Sequence, residues 1–172
     1  MWLNLVILSL VTAQRVSELF LSRRNTSRLI ARGGYEVGGG HYWLLIGFHA
    51  IWMIGLWIYG WNNPVNWTWL FVYLVIQALR GWVVAALGER WTTRIIVMPG
   101  EPLVTTGPYR FLRHPNYYVV LVEVFVLPMV FGLFWYALGF SIVNACLLYW
   151  RMRIEEESFK EAATPPEKIE GS

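Results

Sequence analysis

Aspartate is missing altogether from the 172 residues, so every carboxylate function rests on 11 glutamates. Cysteine occurs once, as Cys146 in an apolar run, which excludes an intrachain disulfide and says nothing about redox compartment. Charge is scarce: 15% of residues are charged against 56% hydrophobic, a balance that argues against a soluble globule. A net charge of +3 is thin ground for nucleic acid as a partner, and none is expected. Neither a phosphate loop nor a dinucleotide fingerprint occurs. Gly33, Gly34, Gly38, Gly39 and Gly40 lack a following Gly-Lys-Ser/Thr, and no strand is expected before them. His41 and His49 lie eight apart on one predicted helix, too far to share a metal, so no metal site is expected.

What is present are long apolar runs rich in tryptophan and tyrosine, residues that anchor helices at membrane interfaces. Residues 2–21 form the first candidate span, with no small-residue cleavage site after a short hydrophobic core, and so no removable signal. Residues 42–61 and 67–87 form the second and third. Residues 22–40 are polar and glycine-rich and read as a flexible loop. Within residues 117–150, an apolar run too long for one crossing, Pro128 and Gly132 predict a helical hairpin with arms of about 16 residues. The expected fold is an all-α integral membrane protein with five transmembrane helices, forming one domain over 1–172, with a poorly ordered tail at 160–172.

Twelve of the 14 Lys and Arg residues fall after spans one, three and five, and none in the alternate turns. By the positive-inside tendency the N-terminus lies outside and the C-terminus in the cytoplasm. Four charges interrupt the spans. Arg15 and Glu18 are spaced to pair with each other, either snorkelling to a surface or facing inward. Arg80, near Gln77, is either an anchor or a counter-ion for an acidic substrate. Glu123 lies in the hairpin. His49 reads as a buried hydrogen-bonding residue.

Chemistry concentrates in two places. Residues 107–118 read GPYRFLRHPNYY, with Pro115 suited to the first turn of a helix and His114 just before it. Free backbone N–H groups at such a start favour an anionic group. The last apolar run ends in Arg151-Met-Arg-Ile-Glu155-Glu156-Glu157, where acidic residues oppose the helix dipole and invite a cation. Consecutive glutamates point about 100° apart, so Glu155 and Glu156 are placed inward and Glu157 outward with Arg153.

Together these stretches resemble the isoprenylcysteine carboxyl methyltransferase family. The family pattern maps onto Gly107, Pro108 and Tyr109; onto Arg113, His114, Pro115 and Tyr117; and onto Arg151, Glu155 and Glu156. Glu36 with His41 and Tyr42, and the run WTTRIIV at 91–97, are similar to the bacterial branch. The family often carries glycine where this chain has Val119.

The resemblance implies a membrane-embedded methyltransferase using S-adenosylmethionine. Tyr109, Arg113, His114, Tyr117, Glu155 and Glu156 would bind the cofactor. Arg151 and Glu155 would be catalytic. Arg80, Asn144 and Arg151 would contact a lipophilic acceptor, methylated on a carboxylate or hydroxyl: isoprenylcysteine-like, or a small lipidic phenol or pyrone. A bacterial cell membrane is the implied setting. A small transporter lined by Arg15, Glu18, Arg80 and Glu123, a non-catalytic membrane scaffold, and a nicotinamide-dependent membrane reductase are the alternatives.

Overall fold

The structure is a computed structural model that describes residues 2–163. Five helices account for most of it: α1 (Trp2–Ala31), α2 (Gly39–Gly60), α3 (Trp67–Leu87), α4 (Pro115–Val130) and α5 (Phe134–Ala163). Single 3₁₀ turns stand at Gly88–Arg90 and Gly107–Arg110. Three helical segments are long and apolar enough to cross a membrane: Trp2–Ala31, Tyr42–Gly60 and Trp67–Arg90. Helix α4 has 16 residues. At 1.5 Å rise it covers about 24 Å, short of a ~30 Å hydrocarbon core. With α5 it makes the expected hairpin, turning at Phe131 and Gly132, whose φ is +69°.

Two features of the first loop differ from the sequence reading. Helix α1 does not stop near Leu21 but runs ten residues further through polar sequence. No Gly or Pro interrupts it until Gly33, where a Schellman cap closes it. Gly34 N–H donates to Leu29 O at 2.9 Å and Gly33 N–H to Ile30 O at 3.0 Å, with Gly33 at φ +95°. The extension is also held from outside: Ser22 and Thr93 hydroxyls meet at 2.7 Å, and Asn25 Nδ2 donates to Trp91 O at 2.8 Å.

The second difference is a strand pair, so the fold is helical but not purely α. β1 (Tyr35–Val37) runs antiparallel to β2 (Ile95–Val97), with Glu36 opposite Ile96. A strand therefore does precede the glycines at 38–40, but it leads directly into α2. The poorly ordered tail expected at 160–172 starts too early, since α5 continues to Ala163; its remainder, residues 164–172, lies outside the described residues.

The core lies among α1, α2, α4 and the hairpin turn, where Leu8, Trp52, Leu56, Leu127, Val130 and Phe131 are essentially fully buried. Asn4 Nδ2 donates to Gly60 O and Asn63 O, and Asn66 N–H to Val130 O, pinning both turns at that end. Leu10, Phe20, Trp43, Ile51, Phe71 and Leu74 point outward and exposed. An apolar exterior on an apolar core is what lipid as a solvent requires. His49 is held as expected, its Nδ1 2.9 Å from Leu45 O.

Candidate active site at the end opposite the hairpin turn

At the end of the bundle opposite the hairpin turn, three pieces of chain converge: β2 with the loop that follows it, the 107–117 segment, and the last turns of α5. They enclose a cavity of about 300 Å³. Helix α4 starts on Pro115, with His114 in non-helical conformation before it (φ −131°, ψ 59°) and the Tyr117 and Tyr118 N–H groups turned back to His114 O. Gly107, at φ +59°, lets the chain pass close over α3; a Cβ there would lie 3.0 Å from Ala86 Cβ.

The polar half of the cavity is organised around Tyr117. Arg151 Nε donates to its hydroxyl at 2.9 Å, and that hydroxyl donates to the Glu155 carboxylate. His114 stacks on its ring, with centroids 5.6 Å apart. Glu156 lies beside it, 3.4 Å from His114 Nε2 and 3.7 Å from Arg113 Nη1. Tyr109 faces the same space. Burial pushes its phenol pKa up, and the Glu155 carboxylate adds to the shift, so it stays a neutral donor at physiological pH.

Tyr109, Arg113, His114, Tyr117, Arg151, Glu155 and Glu156 thus all line one cavity, whereas Glu157 is exposed outside it. Arg80 and Asn144 do not line it. The Arg80 guanidinium is bound to Glu18 and Glu123 within the bundle. Asn144 is fully buried between α4 and α5, with Nδ2 3.5 Å from Val120 O. The sequence placed both near substrate by polarity; the fold uses their polarity between helices.

The other half of the cavity was not read from sequence. Leu29, Leu87, Ile95, Met98, Leu103 and Val104 make an apolar wall. Arg94 also lines this half: its Nη1 donates to both oxygens of Glu36 (2.8 and 2.6 Å), and its guanidinium lies 4.2 Å over the Tyr42 ring. Partial burial disfavours the Arg94 charge, but the Glu36 carboxylate outweighs it and raises the pKa. Arg90 bonds Glu101 and Pro102 O, holding the loop after β2. Asn116 lines the cavity with its Oδ1 buried and unpartnered. Its position inside RHPNY was the available signal.

The cavity therefore sets Glu155 and Glu156 among tyrosines and arginines on one side and faces them with a largely apolar wall that Arg90, Arg94 and Glu101 interrupt. Carboxylates beside tyrosines suit a cationic group, and the spare Asn116 acceptor suits an N–H donor.

Residues 69–161 match the isoprenylcysteine carboxyl methyltransferase (ICMT) family. The chain is 34% identical over 162 residues to uncharacterized protein YpbQ of Bacillus subtilis, covering 91% of this chain and 96% of that one. It is 25% identical over 117 residues to an uncharacterized protein of Haemophilus influenzae, covering 65% and 68%. No solved structure gives a significant match. The matched span contains every residue of the cavity's polar half, and on these grounds the chain belongs to the isoprenylcysteine carboxyl methyltransferase family of membrane proteins.

Proposed function

We propose that this protein is an S-adenosylmethionine-dependent methyltransferase acting on a carboxylate or hydroxyl oxygen of a lipophilic molecule, isoprenylcysteine-like or a small lipidic phenol or pyrone. One observation carries the reading: two segments about 40 residues apart converge so that Glu155 and Glu156 meet Tyr109, His114 and Tyr117 in one cavity with an apolar opposite wall.

The residues present fit that cofactor. Glu155 and Glu156 accept from an ammonium or a ribose diol. Asn116 Oδ1 is a buried acceptor still lacking a donor. The Tyr109 ring offers a face to an aromatic base. Arg113, which lines the cavity, suits a carboxylate.

When bound, the cofactor supplies an electrophilic methyl group. The chain's own work is to bind, align and exclude water. Arg151 fixes the Tyr117 hydroxyl, which fixes Glu155, so the cation-binding carboxylate is set before ligand arrives. The apolar wall receives the acceptor's hydrocarbon and keeps water from its oxygen. A carboxylate or phenolate acceptor needs alignment more than a strong base, and orientation of this kind supplies roughly 7–11 kcal/mol.

In this reading the cavity faces the cytoplasm of a bacterial cell, with the N-terminus outside, on the charge distribution already given. Isothermal calorimetry of the purified protein tests the function. S-adenosylmethionine and its demethylated product should both bind without added metal. Binding of a nicotinamide cofactor in their place would overturn the proposal in favour of a reductase.

A further inference from the structure

Outside the cavity, one cluster stands out in a segment of the bundle that is otherwise apolar. Arg15 and Glu18 on α1, Arg80 on α3 and Glu123 on α4 bind one another. Arg80 Nε and Nη2 donate to the two Glu18 oxygens at 2.7 and 2.6 Å, and its Nη1 to Glu123 at 3.1 Å. Arg15 Nη1 donates to Glu18 at 2.9 Å, and Nη2 to Glu123. Gln77 Nε2 donates to Glu123 at 2.6 Å, and Gln14 Nε2 to Gln77 at 2.7 Å. Two arginines and two glutamates sum to zero charge. Ionisable side chains at membrane depth are costly and mark function by default.

A lock between helices does not account for the surroundings. Helix α3 packs along α4, but the backbones of α1 and α3 scarcely approach each other; at this level only the polar side chains bridge them. The gap is a groove lined by Gln14, Glu18, Gln77 and Arg80 on its floor and by Gly81, Val84 and Ala85 on its wall. Gly81 leaves open space: nothing lies within 4 Å of where its Cβ would be. Exposure is graded, with the Glu18 side chain 14% exposed at the groove and Glu123 2% exposed behind it. Irregular or polar surface at this depth is tolerated where it lines a cavity.

We propose that the α1–α3 groove is a second binding site, open sideways to the bilayer, for a single-chain amphiphile with an uncharged hydroxyl- or carbonyl-bearing head. The floor's charges are already matched, so a charged head would bring an uncompensated charge into low dielectric. Gln14 bonds Glu18 and Gln77 through its Nε2, which leaves its Oε1 to accept from a hydroxyl in the groove. The small wall residues admit one alkyl chain. Nothing in this site depends on the reaction at the cavity.

The protein reconstituted in lipid nanodiscs is titrated with radiolabelled hexadecanol, with empty discs giving the partition background. Saturable binding is expected. Hexadecanesulfonate and hexadecyltrimethylammonium should bind about tenfold more weakly or worse. Gly81→Leu and Val84→Trp fill the groove without touching the charges. Each should reduce hexadecanol binding about tenfold or more while leaving S-adenosylmethionine affinity, read by calorimetry on the same discs, unchanged. Absence of saturable binding, or both filled variants binding as the wild type does, overturns the site. Equal binding of either charged probe overturns the neutral-head assignment. Solvent extracts of the membrane-purified protein, compared by mass before and after incubation with S-adenosylmethionine, separate the two sources of such a head. A bound compound that gains a methyl mass is the acceptor; one that does not is a membrane lipid.

Discussion

Glu156→Gln should weaken S-adenosylmethionine binding without unfolding the protein. Glu156 lines the cavity and is only loosely held by its neighbours, at 3.4 Å from His114 and 3.7 Å from Arg113. Its carboxylate is therefore available to a ligand cation, and the substitution keeps its shape while removing its charge. A hydrogen bond to a charged group contributes about 1.5–3 kcal/mol, so affinity should fall roughly tenfold to more than a hundredfold. Glu155→Gln removes the same charge and also loosens the Arg151–Tyr117–Glu155 chain, so its loss should equal or exceed that of Glu156→Gln. Glu157 is the internal control. It is one residue further on, exposed and outside the cavity, and Glu157→Gln should change affinity less than about fivefold, as for an exposed charge worth about 1 kcal/mol or less. Calorimetry on the three single variants, each checked for thermal stability, gives the comparison. If Glu157 proved the sensitive position, or if neither Glu155 nor Glu156 mattered, the acidic side of the cavity would not be the cofactor site.

Tyr117→Phe removes the hydroxyl that joins Arg151 to Glu155; cofactor affinity should drop about fivefold or more, and an unchanged isotherm would show that this chain does not order the site. Glu123→Gln leaves Arg15 and Arg80 facing one carboxylate, and stability in reversible detergent unfolding should fall by about 3–5 kcal/mol; a loss below about 1 kcal/mol would mean the cluster is hydrated and unstressed. Gly34→Val would place a Cβ 2.6 Å from Met98 Sδ and 2.9 Å from Leu29 O, so both melting temperature and cofactor binding should fall, the latter because Met98 lines the cavity. With Cys146→Ser as background, a membrane-impermeant thiol reagent applied to intact cells should label Pro64→Cys and not Arg24→Cys; the reverse would invert the proposed orientation.

Much of this arrangement was legible in the sequence because its signals are local. The hairpin follows from Pro128 and Gly132, the helix start from Pro115, and the inward phase of Glu155 and Glu156 against Glu157 from 100° per residue. What escaped is set by distance along the chain. Arg80 read equally well as an anchor or a substrate ligand, because Glu18 and Glu123 lie 62 and 43 residues away. Strands of three residues paired across 58 positions carry too few alternating residues to register. Residues 22–31 read as loop from their polarity alone. Their polarity is instead spent on contacts: Ser22 and Asn25 are each at most 2% exposed and bonded to the chain that leads into β2.

That extension of α1 also relates the two ends of the molecule. Glu18, Ser22, Asn25 and Leu29 follow one another at i, i+4, i+7 and i+11, a single helical face. The first binds Arg80 in the membrane-depth cluster. The next two bond Thr93 and the carbonyl oxygens of Gly88 and Trp91. The last forms part of the cavity's apolar wall. The family match begins at residue 69 and does not include this helix, yet without it the wall loses Leu29 and the segment carrying Arg90 and Arg94 loses its attachment. The helix is thus fixed by side-chain bonds at three successive levels, Glu18, Ser22 and Asn25, before it reaches the cavity at Leu29. The helix that brings Leu29 to the apolar wall is thereby anchored at membrane depth, which is a physical reason for building the cavity at the end of an apolar bundle.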